Sequence, residues 1–150
     1  MNRRLSWIIL VLAATGCSIR KSPEEFRASY EKNARVIVVA EKLPVVYERT
    51  LKFSARCMQG ATISQSGMNS MTRVTTEILA DRTHIIRVKL DANASLGSTV
   101  DSFAAIAEIS TIEKGTQVKI YGPSRNKYLK KAFERWAKNE SDACPDTNWY

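Results

Sequence analysis

The spacing of apolar residues at the start of the chain predicts a short helix followed by a strand. Phe26 and Tyr30 lie four residues apart and therefore share one helical face. Ser22 and Glu25 have the spacing of a capping box, in which each side chain bonds the other residue's backbone, and Pro23 suits the first turn. We expect this helix to end near residue 33. The β-branched run at residues 35–40 then predicts a buried strand.

Apolar residues recur at helical spacing over residues 44–58. Pro44 suits the first turn of this helix. We expect a wide apolar stripe centred on Tyr47, Leu51, Ser54 or Ala55, and Met58, with flanking residues Val46, Thr50, Phe53 and Cys57. Residues 46–53 also alternate as a strand would, so that interpretation stays open. Residues 59–70 are rich in Gly, Ser, Asn and Gln, which predicts a loop.

From residue 72 to residue 121 the apolar period changes to two, which is typical of strands with one buried and one solvated face. We expect four strands, at residues 72–79, 84–91, 101–112 and 117–121, with a tight hairpin turn at residues 113–116. Ser124 is then expected to cap a helix of about 15 residues. The core-facing side chains of that helix are predicted to be Leu129, Ala132, Phe133 and Trp136.

This order of elements predicts an α+β domain. We expect an antiparallel sheet of about five strands with two long helices packed on one face, besides the short N-terminal helix. The order is loosely similar to that of the helix-grip domains found in some lipoprotein accessory subunits of the outer-membrane barrel-assembly machinery. The resemblance concerns the fold alone, because the chain shares no motif with those subunits, and so it implies no function.

The first residues have the features of a secretory signal, because a basic start precedes about ten apolar residues, too few to span a membrane. The stretch ends in Ala14-Thr15-Gly16-Cys17, which resembles the lipobox of bacterial lipoproteins. The resemblance implies removal of residues 1–16 and attachment of acyl chains such as palmitate to Cys17. Because Ser18 and not Asp follows, it also implies sorting to the outer membrane, where we expect the domain to face the periplasm. An ordinary signal cleavage before Cys17, or an uncleaved anchor, is the alternative.

With Cys17 assigned to lipid, Cys57 and Cys144 remain as an even pair in an oxidising compartment. A disulfide between them would close a loop of nearly 90 residues and stabilise the domain by about 4–5 kcal/mol in the chain-entropy model. It would join the ends of the two long helices. Two buried free thiols are the alternative. Two distant cysteines and one distant histidine do not form a tetrahedral metal site, and no cofactor is expected.

Charge and a basic helix indicate the kind of partner. The residues after position 16 carry 21 basic and 15 acidic side chains, a net charge of +6. This balance suits anionic lipid head groups, lipopolysaccharide or the carboxylates of peptidoglycan, whereas nucleic acid is not expected outside the cytoplasm. An envelope protein is a further possible partner. Trp149 and Tyr150 either dock on a partner or fold back on the domain. Candidate contacts with an anionic surface lie on the outer side of the last helix, where a solvated face would look the same: Arg125, Lys127, Lys130, Lys131, Arg135 and Lys138.

The sequence offers little for catalysis. His84 is the only histidine, and it lies on the apolar side of a predicted strand, as an interior imidazole would. The chain has no nucleophile elbow and no phosphate-binding loop, so we expect no enzyme.

These observations divide the chain into four segments and lead to two hypotheses about function. We expect a signal at residues 1–16, a lipid-anchored tether with the short helix at 17–33, a single α+β domain at 34–144 and a tail at 145–150. The first hypothesis is a lipid-anchored periplasmic domain that acts as a structural or interaction module of the cell envelope. The alternative is a lipoprotein that binds lipid or a small hydrophobic ligand in a cavity lined by Phe103, Ile109 and Phe133, beside the small residues Ala104, Ala105 and Ala107.

Overall fold

The structure is a computed structural model that describes residues 22–65, 68–92 and 103–145. The expected signal at residues 1–16, the lipidation residue Cys17 and the aromatic pair Trp149 and Tyr150 lie outside the described residues. The described elements are α1 (Pro23–Tyr30), a 3-10 turn (Glu31–Asn33), β1 (Arg35–Val39), α2 (Leu43–Met58), β2 (Thr62–Gln65), β3 (Met68–Ile78), β4 (His84–Ala92), β5 (Phe103–Ile112), β6 (Gly115–Tyr121), a second 3-10 turn (Ser124–Asn126) and α3 (Lys127–Ala137).

All six strands form one antiparallel sheet in the order β1-β6-β5-β4-β3-β2. The predicted α+β class with an antiparallel sheet is confirmed. The prediction of a loop at residues 59–70 was wrong, because β2 and the start of β3 lie there and raise the strand count to six. A short polar edge strand is stabilised by backbone hydrogen bonds to its neighbour and needs no apolar pattern. Thr62 pairs with Met71 in this way.

One large cluster of buried side chains, the major core, combines α2, α3 and one face of the sheet. Because residues directly opposite each other in neighbouring strands point to the same face, the register assigns Ile37, Val118 and Ile109 to this face. Phe133 and Trp136 of α3 are fully buried against it, and their rings lie 5.2 Å apart. The apolar side of α3 was therefore predicted correctly.

The buried side of α2 differs from the prediction. In α2 the buried residues are centred on Val46, Thr50 and Ser54 and not on Tyr47 and Leu51. The Thr50 hydroxyl donates to the Val46 carbonyl oxygen (2.7 Å) and the Ser54 hydroxyl to that of Leu51 (3.0 Å), so both polar groups are satisfied inside the helix.

The last helix is also shorter than expected. α3 has 11 residues, because the chain at Ser124 first forms a 3-10 turn, and no side chain caps its start. The helical conformation of Leu43–Met58 rules out the strand interpretation of residues 46–53.

A second, smaller cluster, the minor core, lies on the opposite face of the sheet under α1. Its buried residues are Phe26, Ile85, Phe103, Ile106 and Tyr121. The expected capping box begins α1, since Ser22 N–H donates to Glu25 Oε2 (2.8 Å) and Glu25 N–H to Ser22 Oγ (3.2 Å). The Phe26 ring stands edge to face against Tyr30 and Phe103, with centroids 4.7 and 5.5 Å away. Phe103 was expected on the face of Ile109, but a register shift between Val88 and Lys89 turns it to the minor core.

The predicted disulfide between Cys57 and Cys144 is present, with the two Cα atoms 5.2 Å apart. It joins the last turn of α2 to the segment that follows α3. Arg49 of α2 supports the same junction, because its guanidinium donates to the carbonyl oxygens of Trp136 (3.0 Å) and Ala137 at the end of α3. The relative position of the two helices is thus held by a covalent bond and by hydrogen bonds.

Candidate functional site

The β1 strand forms an edge of the sheet with open backbone positions. One side of β1 pairs with β6, and no other strand in the described part of the chain pairs with its outer side. An edge of this kind presents N–H and C=O groups that can pair with an added strand. Residues 35–40 were predicted to be buried, and this was wrong for Val36 and Val38, which are 51% and 56% exposed.

The exposure of these two valines follows from the alternation of β1. Ile37 and Val39 point into the major core and are 8% exposed. Val36 and Val38 point to the opposite face, opposite Lys119 and Gln117 of β6. α1 lies on that face but covers the minor core around Phe26 instead. The surface made by the outer side of β1 with Val36 and Val38 is called the β1 edge below.

Few of the usual protections against strand addition are found at the β1 edge. Natural edges are often guarded by lysines, prolines or bulges. The only charged residue of β1 is Arg35, which forms an ion pair with Glu134 of α3. At the other end, Gly115 has a φ of +135°, and any side chain there would collide with the Val39 carbonyl oxygen. The hairpin turn therefore packs directly against the end of β1 and fixes its position.

The basic side chains expected on the last helix do not all share its surface. Lys127, Lys131 and Arg135 are exposed and form no ion pair with an acidic residue in the described ranges. Lys138 is about one third exposed, and its Nζ donates to Glu134 Oε1 (2.8 Å). This hydrogen bond raises the pKa of Lys138. These four residues are called the basic ridge below. Arg125 is also exposed but lies before α3, in the 3-10 turn.

Lys130 is a correction to the predicted surface. It is only 9% exposed, and its Nζ donates to the carbonyl oxygens of Asn33 (3.2 Å) and Gly122 (3.3 Å). Burial lowers its pKa, and the nearby charge of Arg35 acts in the same direction. Its long stem crosses to the segment before β1, so Lys130 positions α3 against the sheet and does not face a partner.

The basic ridge lies beside the β1 edge. Glu134 forms an ion pair with Arg35 and accepts a hydrogen bond from Lys138, and so joins the strand to the helix. Lys127, Lys131 and Lys138 fall within about 40° of one another around α3, next to the side that carries Glu134. Arg35 is about half exposed despite this ion pair. The arrangement combines free backbone groups, two exposed valines and a positive surface along one border of the domain.

A network of polar side chains holds α1 on the other face. Arg27 forms an ion pair with Glu108 of β5, and the Tyr121 hydroxyl donates to Glu108 Oε2 (2.8 Å). Burial, together with this bond to a carboxylate, raises the pKa of Tyr121 to about 12. Lys119 bonds Glu31, which raises the pKa of Lys119. The neutral Tyr121 hydroxyl and the two ion pairs are consistent with a structural role, the attachment of α1 to the sheet.

Neither the surroundings of His84 nor the expected ligand cavity supports catalysis or ligand binding at the positions that the sequence suggested. The His84 ring packs edge to face on Tyr47 (4.4 Å between centroids), and its Nδ1 has no hydrogen-bond partner in the described part of the chain. Phe103 belongs to the minor core, whereas Ile109 and Phe133 belong to the major core, so the three cannot line one cavity. A pocket of about 430 Å³ lies instead between the start of α2 and the β5–β6 turn, with Leu43, Pro44 and Ile112 in its wall.

Comparison with known proteins adds no assignment. No family model, no curated protein and no solved structure matches the chain. Within the described residues, no group of three His, Cys, Asp or Glu side chains could hold a metal ion. None of the helices described is long and apolar enough to cross a membrane. The β1 edge with the basic ridge is therefore the candidate site that the geometry distinguishes. The β1 edge could not be recognised from the sequence pattern, because a run of β-branched residues is equally typical of a buried strand and of an edge strand.

Proposed function

We propose that this chain is a lipid-anchored periplasmic domain that acts as an interaction module of the bacterial cell envelope, held on the outer membrane through Cys17. The observation that carries the proposal is the β1 edge, an apolar strand edge left open beside a positive surface. Exposed sheet edges are common sites at which proteins bind an extended segment of another chain. The proposal includes no catalytic step.

The position of α1 supports the anchored arrangement. Five residues separate Cys17 from Pro23, and even a fully extended segment of that length spans only about 20 Å. Because α1 is fixed to the sheet by Phe26 and Arg27, a lipid on Cys17 would keep the whole domain close to the membrane surface. Partners would then be other components of the same membrane or of the space beside it.

The packing of the helices also favours an interaction module over a ligand-binding protein. We infer that α2 and α3 form one layer on the major-core face, because both helices contact β5 and β6 and both contribute residues to the major core. In that arrangement Ala105 and Ala107 lie in the major core with no exposed surface, and allow close packing of the helices. A ligand cavity between sheet and helices would need the space that these contacts occupy.

In-cell photo-crosslinking at the β1 edge tests the proposal. A photoreactive residue at Val38 should yield a discrete crosslinked species in intact cells. The matched control is Val45, which is similarly exposed (49%) but lies on α2. We expect a crosslink from Val38 and none of the same mass from Val45. Absence of any crosslink from Val36 and Val38, together with a lipid that copurifies with the protein at one mole per mole, would favour the ligand-binding alternative.

A further inference from the structure

We propose that the β1 edge and the basic ridge together bind an acidic protein segment in extended conformation, which adds to the sheet as a seventh strand. The inference rests on the proposed interaction function and names the chemistry of the partner. It is carried by three observations: the outer backbone of β1, which pairs with no other described strand, the different surroundings of its two faces, and the positive charges on α3 that pair with no acidic residue in the described ranges.

The backbone of β1 sets the conformation of the partner. β1 has five residues, and its outer side is free among the described strands. An added strand would lie about 4.8 Å away and pair with the N–H and C=O groups that β6 does not use. An anionic lipid phosphate accepts hydrogen bonds from N–H groups but has no donor for the carbonyl oxygens. A second backbone satisfies both, so the edge favours a polypeptide over a membrane surface.

The two faces of β1 set the side-chain pattern of the partner. Successive side chains of a strand point to opposite faces. On the major-core side, the added strand would meet the exposed half of Arg35 and the basic ridge, which suit carboxylates. On the other side it would lie next to Val36 and Val38, which suit β-branched apolar residues. The predicted ligand therefore alternates acidic and β-branched residues.

The charge around the edge selects this partner over a second copy of the chain. Glu134 is already bonded by Arg35 and Lys138, whereas Lys127, Lys131 and Arg135 pair with no acid in the described ranges. If two copies joined through β1 with two-fold symmetry, both basic ridges would lie on the same face of the joined sheet and repel each other. An acidic strand neutralises the same charges.

A synthetic peptide tests the proposal directly. The probe is fluorescently labelled Val-Glu-Val-Glu-Val-Glu-Val, and binding to the full chain in zwitterionic detergent is measured by anisotropy. We expect saturable binding that weakens by about tenfold or more when sodium chloride is raised from about 50 to about 500 mM. The Val-Lys analogue should bind at least about tenfold more weakly. Two further peptides carry N-methyl groups, one on the Glu residues and the other on the inner Val residues. Because the N–H groups of alternate residues face the same side of a strand, only one of these two sets faces β1, and only that peptide should lose binding.

Matched variants locate the binding surface. Lys131→Glu should weaken binding by about tenfold, whereas Lys52→Glu, an equal charge change at an exposed position of α2, should change it by less than about twofold. The double variant Val36→Lys/Val38→Lys should block the edge and abolish saturation, whereas Val36→Thr/Val38→Thr should retain binding. Equal effects of Lys131→Glu and Lys52→Glu, or unchanged binding of both N-methylated peptides, would overturn the proposal.

Vesicles distinguish the remaining partner class and separate this inference from the proposed function. Phosphatidylcholine vesicles that contain phosphatidylglycerol should not compete with the peptide at the β1 edge. If the vesicles bind through Lys131 and the peptide does not bind, the basic ridge contacts lipid and the acidic-strand proposal is wrong. If the peptide fails while the Val38 crosslink in cells persists, the interaction module stands and only the chemistry of its partner is wrong.

Discussion

The two faces of the sheet are closed in different ways. The major core combines buried side chains of α2, α3 and the sheet, and a disulfide joins the end of α2 to the segment after α3. On the minor-core face, a single helix of eight residues packs through Phe26 on four buried side chains of the sheet, and an ion pair between Arg27 and Glu108 holds it in place. Both contain a fully buried phenylalanine, Phe133 in the first and Phe26 in the second.

This difference suggests two roles: the major core stabilises the fold, and the minor core attaches the N-terminal segment to the domain. Burial of apolar area is the largest stabilising term, so the major core supplies most of the stability. The minor core attaches the N-terminal segment, which leads to the predicted anchor at Cys17. We expect α1 to open at a lower free energy than the sheet and the major core, because fewer buried side chains attach it. The β1 edge lies at the border between the two faces, where neither helix layer covers it.

Removal of the disulfide should have the largest effect on stability. The double variant Cys57→Ser/Cys144→Ser opens a loop closed across 87 positions and is expected to lower the free energy of unfolding by about 4 kcal/mol. It should leave the protein in the membrane fraction. Cys17→Ser is the matched control, since it should release a protein of unchanged stability from the membrane. Urea unfolding and cell fractionation measure both; two free thiols in the mature protein would contradict this division of roles.

Equivalent truncations in the two cores compare them directly. Phe133→Ala should lower the free energy of unfolding by about 3–5 kcal/mol, because the surrounding helices cannot collapse into the cavity. Phe26→Ala removes the same ring but should cost only about 1–3 kcal/mol, since local release of α1 limits the loss. The measurement is urea unfolding together with amide exchange of residues 23–30. A larger effect for Phe26→Ala would show that α1 is part of the main cooperative unit.

The pH dependence of the minor core should depend on Tyr121. The folded protein raises the pKa of Tyr121 from its ordinary 10.0 to about 12, because it favours the neutral phenol. Its contribution to stability is therefore fully present below pH 10 and is lost as the pH rises from 10 toward 12. Tyr121→Phe should cost about 1 kcal/mol near neutral pH and reduce the loss of stability in that alkaline range. Tyr128→Phe, at an exposed position of α3, is the control and should leave the alkaline profile unchanged.

Substitution of the exposed valines should have the smallest effect on stability. Val36→Lys/Val38→Lys is expected to change the free energy of unfolding by no more than about 0.5 kcal/mol, because both side chains are more than half exposed. The same variant should abolish the Val-Glu peptide complex. A large loss of stability would instead mean that the two valines are covered in the folded protein.

Local features of the fold could be predicted from the sequence, whereas features that depend on pairing could not. The capping box at Ser22, the hairpin turn before Gly115 and the apolar side of α3 depend on residues close together in the chain, and all three are confirmed. The turn of Phe103 to the minor core depends on a register shift against β4, which leaves no trace in the spacing of β5 itself.

The candidate site shows the same limit. The sequence indicated the basic residues of α3 but not that Lys130 reaches back to Asn33, which only the packing of α3 beside the segment before β1 determines. It could not distinguish the β1 edge from a buried strand, because Val36 and Ile37 are alike as residues and differ only in what covers them. The signal for an edge lies in the strand order, since among the described strands β1 has β6 on one side only.

Both proposals require that the outer side of β1 is open in the folded protein and available to a partner. Residue-resolved amide hydrogen exchange of the full chain in detergent tests it most directly. We expect an alternating pattern over residues 35–39, in which amides bonded to β6 exchange slowly and those on the outer side exchange quickly. Uniformly slow exchange along β1 in the free protein would contradict the claim, since it would show that the edge is already covered.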